Sequence, residues 1–316
     1  MADISSPHDS FFRSLLDDSQ LALDYFKSAL PGHIIRMLDL STLKRLPDSY
    51  VSAELEKAMS DAVYLCTRAD GRGHVAVCLL TEHKSYRDNY TSVQIGGYLF
   101  SGYQHQIRQK QKTLTPIIPI LFYHGRQKWE YWPLDKLFEG LDGELLGFIP
   151  KFDYIYHNLR DTPDAVVEAL HNQFLASSLL VLKHSHNKAW LARNFQRMLL
   201  MALPSASREL QQAFLVYSFV QVELTEERIL EIIGELPLTI KDKVMSTYDL
   251  LIEKGRNEER VKAQRLIEQE RAKAEQERAK AHAEKLRSAV KMKKSGFGNA
   301  MIADVLELPI EEVEKL

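Results

Sequence analysis

Apolar side chains recur at helical spacing through "SFFRSLLDDSQLALDYFKSAL" (10–30), and "PG" at 31–32 closes the run. A second helix is expected over about 48–58, so residues 8–58 read as helices joined by loops. The period then changes to that of strands. "DAVYLCT" (61–67) and "HVAVCLLTEHK" (74–84) are rich in β-branched and apolar residues, and "ADGRG" (69–73) between them has turn composition. Together they predict a β-hairpin. From Asp88 to about Lys112 the helical period returns, and "PIIPILFYHG" (116–125) reads as a third buried strand whose ends Pro116 and Pro119 blur. Helical patterns such as "DAVVEALHNQFLASSLLVLKH" and "NKAWLARNFQRMLLMAL" fill about 150–250, punctuated by Pro204 and "ELPLT".

The order α, β-hairpin, α, β predicts an α/β core in which helices flank a mixed sheet. We expect that core over 1–150, an all-helical subdomain over 151–252, a charged helical arm over 253–294 and a short tail over 295–316. The arm contains "EQERAKA" twice, at 268–274 and 275–281, but alanine is the only apolar residue in that heptad. A charged helix braced by Glu/Arg and Glu/Lys pairs at i,i+3 is therefore expected rather than a stable coiled coil. The tail holds two short amphipathic pieces joined at "ELP", a loose likeness to a helix-turn-helix unit.

Composition narrows the function classes. With 45% apolar and 27% charged residues the chain has the profile of a folded globular protein. No apolar run approaches the ~20 residues that span a bilayer, and the N-terminus lacks a secretory pattern, so a cytoplasmic protein without membrane contact is expected. Cys66 and Cys78 are too few for a disulfide framework or a four-ligand zinc site. The formal charge of −2 excludes a generally basic surface, yet residues 253–294 hold fourteen Lys or Arg against eight Glu, while 301–316 carry five acids against Lys315. Any nucleic-acid contact must come from local clusters.

Chemistry concentrates where the apolar strand stops at "TEHK". Residues two apart on a strand share a face, so Glu82 and Lys84 point together while His83 points away. If "ADGRG" is the whole loop, paired positions sum to about 142, and Asp61 falls opposite residue 81, next to Glu82. The same sum brings Cys66 near Cys78, although a reducing compartment disfavours a bond between them. Two carboxylates at a strand end form a hard-oxygen site suited to Mg²⁺, with Mn²⁺ or Ca²⁺ as possible substitutes. A lysine beside them can orient water and offset phosphate charge, the set needed for metal-assisted phosphodiester hydrolysis. Spacing alone leaves open a surface ion-pair cluster instead. Gln94 and Tyr98, one turn apart on the following helix, suit either a core contact or a DNA-phosphate contact. Arg87, Arg108 and neighbouring lysines can bind a phosphate backbone or merely solvate a helix end, and His124 reads as a turn histidine within reach of the site.

"SDAVY" with Asp61, followed by "LLTEHKS" with Glu82 and Lys84, resembles the D…(D/E)-x-K core of the restriction-endonuclease-like nuclease superfamily. More narrowly, "HDSFFRSLL", "SDAVYL", "LLTEHKS" and "PIIPILFYHG" are similar to the recombination-promoting nuclease (Rpn), or YhgA-like transposase, family over about residues 8–250. That resemblance implies a metal-dependent DNA endonuclease in recombination or mobile-element biology. It implies Asp61 and Glu82 as metal ligands, Lys84 as base or charge stabiliser, Glu54 or Glu56 as an auxiliary acid, and Gln94 as an assisting polar group. Two departures stand out: Ser60 occupies the place of the superfamily's proline, and many family members carry Gln at the position of Lys84. DNA is the expected partner, and self-association through the helical part or the arm is a further expectation. The alternative function is a non-catalytic DNA-binding or scaffolding protein built on the same fold.

Overall fold

The structure, a computed structural model, describes residues 7–46, 62–82 and 88–316, without the side chains of 78–82 and of six positions inside the long C-terminal helix. Asp61, Lys84, Arg87, Glu54, Glu56 and the helix expected over 48–58 lie outside the described residues. The chain divides into two units, Met1–Tyr248 and Asp249–Leu316.

The first unit opens with α1 (Pro7–Asp17), α2 (Ser19–Ala29) and a single turn, α3 (Gly32–Ile35). Asp18 starts α2 by accepting the Gln20 and Leu21 backbone N–H groups at 3.0 and 2.9 Å, the usual use of an N-cap carboxylate. Next comes β1 (Leu38–Arg45), a strand where the apolar pattern predicted only helices and loops. Leu38 and Leu40 are buried between exposed Asp39 and Ser41, a period-two signal only four residues long. A register irregularity between Asp39 and Lys44 breaks the alternation beyond it.

β2 (Val63–Arg68) and β3 (His74–Glu82) form the expected hairpin, and β4 (Ile117–Tyr123) the expected third strand. Between β3 and β4 lies α4 (Thr91–Arg108). A fifth strand, β5 (Ile155–Asn158), falls inside the region read as all-helical. The strands lie in sequence order, β1 and β2 antiparallel to their next neighbours, β3, β4 and β5 mutually parallel. The α/β class with a mixed sheet is therefore what the chain adopts.

Helices cover both faces of the sheet. On one face α4 packs Ile95 and Leu99 over Leu121 and Tyr123, with Val63 and Tyr156 at the margin. On the other face Phe12 of α1 stacks on Phe122 at 4.1 Å between ring centres, and Phe26 of α2 meets Tyr64 edge-on at 4.9 Å. The Tyr64 hydroxyl donates to the Leu16 carbonyl, so burial leaves it satisfied. The turn α5 (Gly143–Leu146) lies between β4 and β5, and α6 (Asp164–Glu168), α7 (Gln173–Lys183), α8 (Lys188–Ala202), α9 (Arg208–Gln221) and α10 (Glu226–Gly234) follow β5, with α7 packed against α2 and α9 against α1. Phe11 stacks on Tyr217 of α9 at 4.2 Å, which ties the helical part to α1.

The last long helix, α11 (Leu238–Lys294), runs for 57 residues. In the second unit its end folds with α12 (Asn299–Leu306) and α13 (Ile310–Glu314) around Ala289, Ile302, Leu308 and Val313. Glu307, at φ 50°, turns the chain at the "ELP" joint. The expected i,i+3 bracing is absent among the described residues: Glu268 and Arg271, Glu270 and Lys273, and Glu277 and Lys280 make no ion pair. The unit's ion pairs instead join α11 to the tail, Lys285 to Glu307 at 3.3 Å and His282 to Glu312 at 3.1 Å. Fully solvated pairs gain so little that extended side chains compete with them. No described helix is long and apolar enough to cross a membrane.

Candidate active site

Because β3, β4 and β5 are parallel, their carboxyl ends, Glu82, Tyr123 and Asn158, line one edge of the sheet, the edge where open α/β sheets bind ligands. The hairpin register sets which positions share a face there. Val63 pairs with Cys78 and Tyr64 with Val77, so paired positions sum to 141 rather than 142. The cause is the turn. The Arg68 N–H donates to the Gly73 carbonyl at 2.9 Å, closing a four-residue loop rather than five, and Gly71 and Gly73 take φ values of 68° and 116° that suit glycine.

That one-residue difference inverts two sequence-based expectations. Position 66 pairs with Val75, and position 78 pairs with Val63, so the two cysteines occupy opposite faces of the hairpin and cannot be bridged across it. Buried Cys66 instead donates to the Asp39 carbonyl of β1 at 3.0 Å, and burial pushes its thiol pKa up. Position 82 pairs with Tyr123 and so belongs to the face that carries Val63, Leu121 and α4.

α4 runs back along that face. Gly102 sits against Ile117 at the start of β4, so close that a Cβ there would lie 2.6 Å from Ile117 Cδ1, whereas Ile95 belongs with Tyr123 at the end of the strand. The first turn of α4, with Gln94, therefore lies at the same edge as position 82. Gln94 is half-buried, and its Nε2 donates to Asp88 Oδ2 at 3.1 Å. Asp88 also accepts the Tyr90 N–H at 2.8 Å, and its carbonyl accepts the Thr91 hydroxyl at 3.0 Å. Tyr98, half-buried one turn on, packs against the Ile95–Leu99 cluster. Arg108 is exposed at the far end of α4, about 20 Å from Gln94 along the axis at 1.5 Å per residue, and does not join this group.

Several residues that sequence reasoning passed over gather at the same edge. Asp88 reads in the sequence only as a helix boundary, yet it orients Gln94. Arg160 donates through Nε to the Arg126 carbonyl at 3.1 Å and pairs with Asp161 at 2.7 Å, which holds its guanidinium beside the chain that leaves β4. His124, directly after β4, is buried, and its ring lies 5.5 Å from His8 and 6.5 Å from His186. His8 and His186 are 5.9 Å apart, and His8 Nδ1 hydrogen-bonds the Tyr217 hydroxyl. Three histidines from "PHDS", "YHGR" and "HSHN" thus meet through the fold, with no spacing in the sequence to announce it. Among the described residues no group of three or more His, Cys, Asp or Glu is arranged to hold a metal ion.

A family model described as "Putative transposase, YhgA-like" matches residues 6–212. The chain belongs to that family. Among curated members related to it, Recombination-promoting nuclease RpnD of Escherichia coli O157:H7 is 28% identical over 233 residues, 73% of this chain and 87% of that protein. Recombination-promoting nuclease RpnA of E. coli K12 is 31% identical over 121 residues, 38% of this chain and 41% of its own. A third relative, named Inactive recombination-promoting nuclease-like protein RpnE, of E. coli K12, is 23% identical over 253 residues, 79% of this chain and 83% of that protein. No solved structure matches. The YhgA-like match ends within α9, so it covers the sheet, α4 and the histidine cluster but not α11 to α13.

Proposed function

We infer that this chain is a divalent-metal-dependent DNA endonuclease working in recombination or mobile-element biology, with Asp61 and Glu82 as metal ligands and Lys84 beside them. The observation that carries the reading is the register of the hairpin. A β2 strand continued with the sum of 141 would set position 61 opposite position 80, two residues from 82 and on the same face, where a sum of 142 would have parted them. Diagonal neighbours of this kind stand ~7–8 Å apart, close enough for two carboxylates to share one ion.

The donor chemistry fits a hard cation: two carboxylates at a strand edge leave room for water and phosphate in the remaining positions. Mg²⁺ is the choice that this set suits best, with Mn²⁺ or Ca²⁺ as alternatives. When bound, such an ion polarises the phosphoryl group and lowers the pKa of its water. The chain's own residues do the rest. Lys84 holds the attacking water and offsets charge that builds on the phosphate. Gln94, itself held by Asp88, positions that water or the scissile phosphate from the α4 side. Arg126 and Arg160 supply positive charge along the edge where a DNA strand would pass.

Names of relatives support the reading in part, since RpnD and RpnA are called nucleases and RpnE is called inactive. Retention here of both acids and the lysine in order favours the active class. The test is plasmid nicking by purified protein with Mg²⁺. Wild type nicks, and Asp61→Ala and Glu82→Ala each lose at least about 10²-fold. Equal cleavage by all three proteins removes the assignment, and salt-sensitive binding with no cleavage by wild type supports the scaffolding alternative instead.

A further inference from the structure

Eight of the fourteen Lys and Arg at positions 253–294 of α11 fall on one side of the helix, and the other six fall near the opposite side, where Glu253 and Glu275 accompany them. At ~100° per residue, Lys254, Lys262, Arg265, Lys273, Lys280, Arg287, Lys291 and Lys294 all fall within an arc of about 100°, which only one acid, Glu258, interrupts. Glu259, Glu270, Glu277 and Glu284 form a row along one border of that arc. All eight basic side chains are exposed, and none forms an ion pair among the described residues. Lys285, off the stripe, is by contrast committed to Glu307. The stripe extends about 60 Å at 1.5 Å per residue.

Three neighbouring pairs in the stripe, Lys262 and Arg265, Arg287 and Lys291, and Lys291 and Lys294, stand one turn apart, where like charges destabilise a helix, and a polyanion facing them offsets that cost. Membrane surfaces are a poor match: an interfacial helix needs a broad face of large apolar groups, and this stripe is bordered on one side by a row of glutamates and on the other by a mixture of Val261, Glu268, Ala279 and Leu286. Duplex DNA is a good one. Its major groove admits an α-helix, whereas the deep, narrow groove of A-form RNA does not. We propose that this face of α11 is a second DNA-binding surface, one that grips the phosphate backbone without reading sequence and holds the substrate independently of the catalytic edge. The choice of DNA as the polyanion rests on the nuclease reading; the existence of the stripe does not.

A straight helix stays beside a wound backbone for roughly one turn of ~34 Å, so about four of the eight cations meet phosphates at once. Four contacts give a slope of about −3.6 in log affinity against log salt, or on the order of 10²-fold weaker binding between 50 and 200 mM. The experiment is fluorescence anisotropy of the full chain on a 30-base-pair duplex in metal-free buffer, where cleavage plays no part. Replacing Lys262, Arg265, Lys273, Lys280, Arg287 and Lys291 together by Gln leaves Lys254 and Lys294 too far apart to meet one ~34 Å stretch, and flattens the salt slope by about 2.7. Replacing Arg256, Arg260 and Arg271, three cations off the stripe, leaves the slope within about 0.5 of wild type. An equal change from both sets of replacements, no change from either, or tighter binding to an RNA duplex of the same length overturns the proposal. Stripe-dependent binding by a protein that never nicks DNA would refute the nuclease reading and leave this one standing.

Discussion

His157 sets a pH dependence of stability that can be worked from its surroundings. Its ring lies between Tyr25 and Phe122, 5.4 and 5.5 Å from their ring centres, and its Nδ1 is 2.9 Å from the Tyr25 hydroxyl. Burial disfavours the charged imidazolium and pulls the pKa from 6.5 down to about 4. The unfolded chain therefore binds a proton that the folded chain refuses. Stability from the neutral ring is present in full above about pH 6.5, declines as pH falls through that value, and is gone below about 4. At 1.36 kcal/mol per pH unit the loss is at most about 3 kcal/mol. His157→Phe keeps an aromatic ring there and cannot titrate. It gives up the contact with Tyr25, at a cost of about 1 kcal/mol at neutral pH. Urea midpoints of both proteins from pH 8 to 4 isolate the effect, because every other titrating group cancels in the difference. Wild type starts the more stable and becomes the less stable by pH 4. Parallel curves across that range would refute the argument.

Gly125→Ala would set a Cβ 2.5–2.6 Å from the Oη, Cε2 and Cζ of Tyr123, a fully buried ring that also donates to the Gln127 carbonyl. Overpacking of this kind costs about 1–3 kcal/mol, and in a Tyr123→Leu background the cost should vanish; equal costs in the two backgrounds would exclude the clash as its cause. Gln94→Ala should lower nicking by about 10–100-fold while leaving thermal stability nearly unchanged, and full activity would remove Gln94 from the site. The full chain should scatter light as more than one copy if the helical part or the arm mediates self-association, and a monomeric mass across micromolar concentrations would end that proposal.

How much the sequence reveals differs by element for physical reasons. α1 and α2, the hairpin, α4 and β4 each bury a full stripe or face, so their apolar period is strong and they appear where it predicts. β1 and β5 are the edge strands. β5 has four residues, and β1 alternates cleanly only from Leu38 to Ser41, so both rely on their neighbours in the sheet rather than on a period of their own. Register depended on one hydrogen bond from Arg68 to Gly73, which composition cannot give, and that bond sets position 82 on the same face as Val63. Asp88, His8 and His186 escaped notice, and His124 reads only as a turn histidine, because their grouping is tertiary. The arm's helical character was legible, but its helix starts at Leu238 rather than at the charge run, and its ion pairing was not legible, since exposed charges gain too little from pairing to dictate a conformation.

The central claim is that the acids at 61 and 82 hold one divalent ion at the carboxyl edge of the sheet. A crystal structure of the protein soaked in Mn²⁺, with anomalous scattering recorded, tests it directly. A single peak within coordination distance of both carboxylates, lost in Glu82→Ala crystals, is the result the account predicts; carboxylates turned to different sides with no peak between them would contradict it.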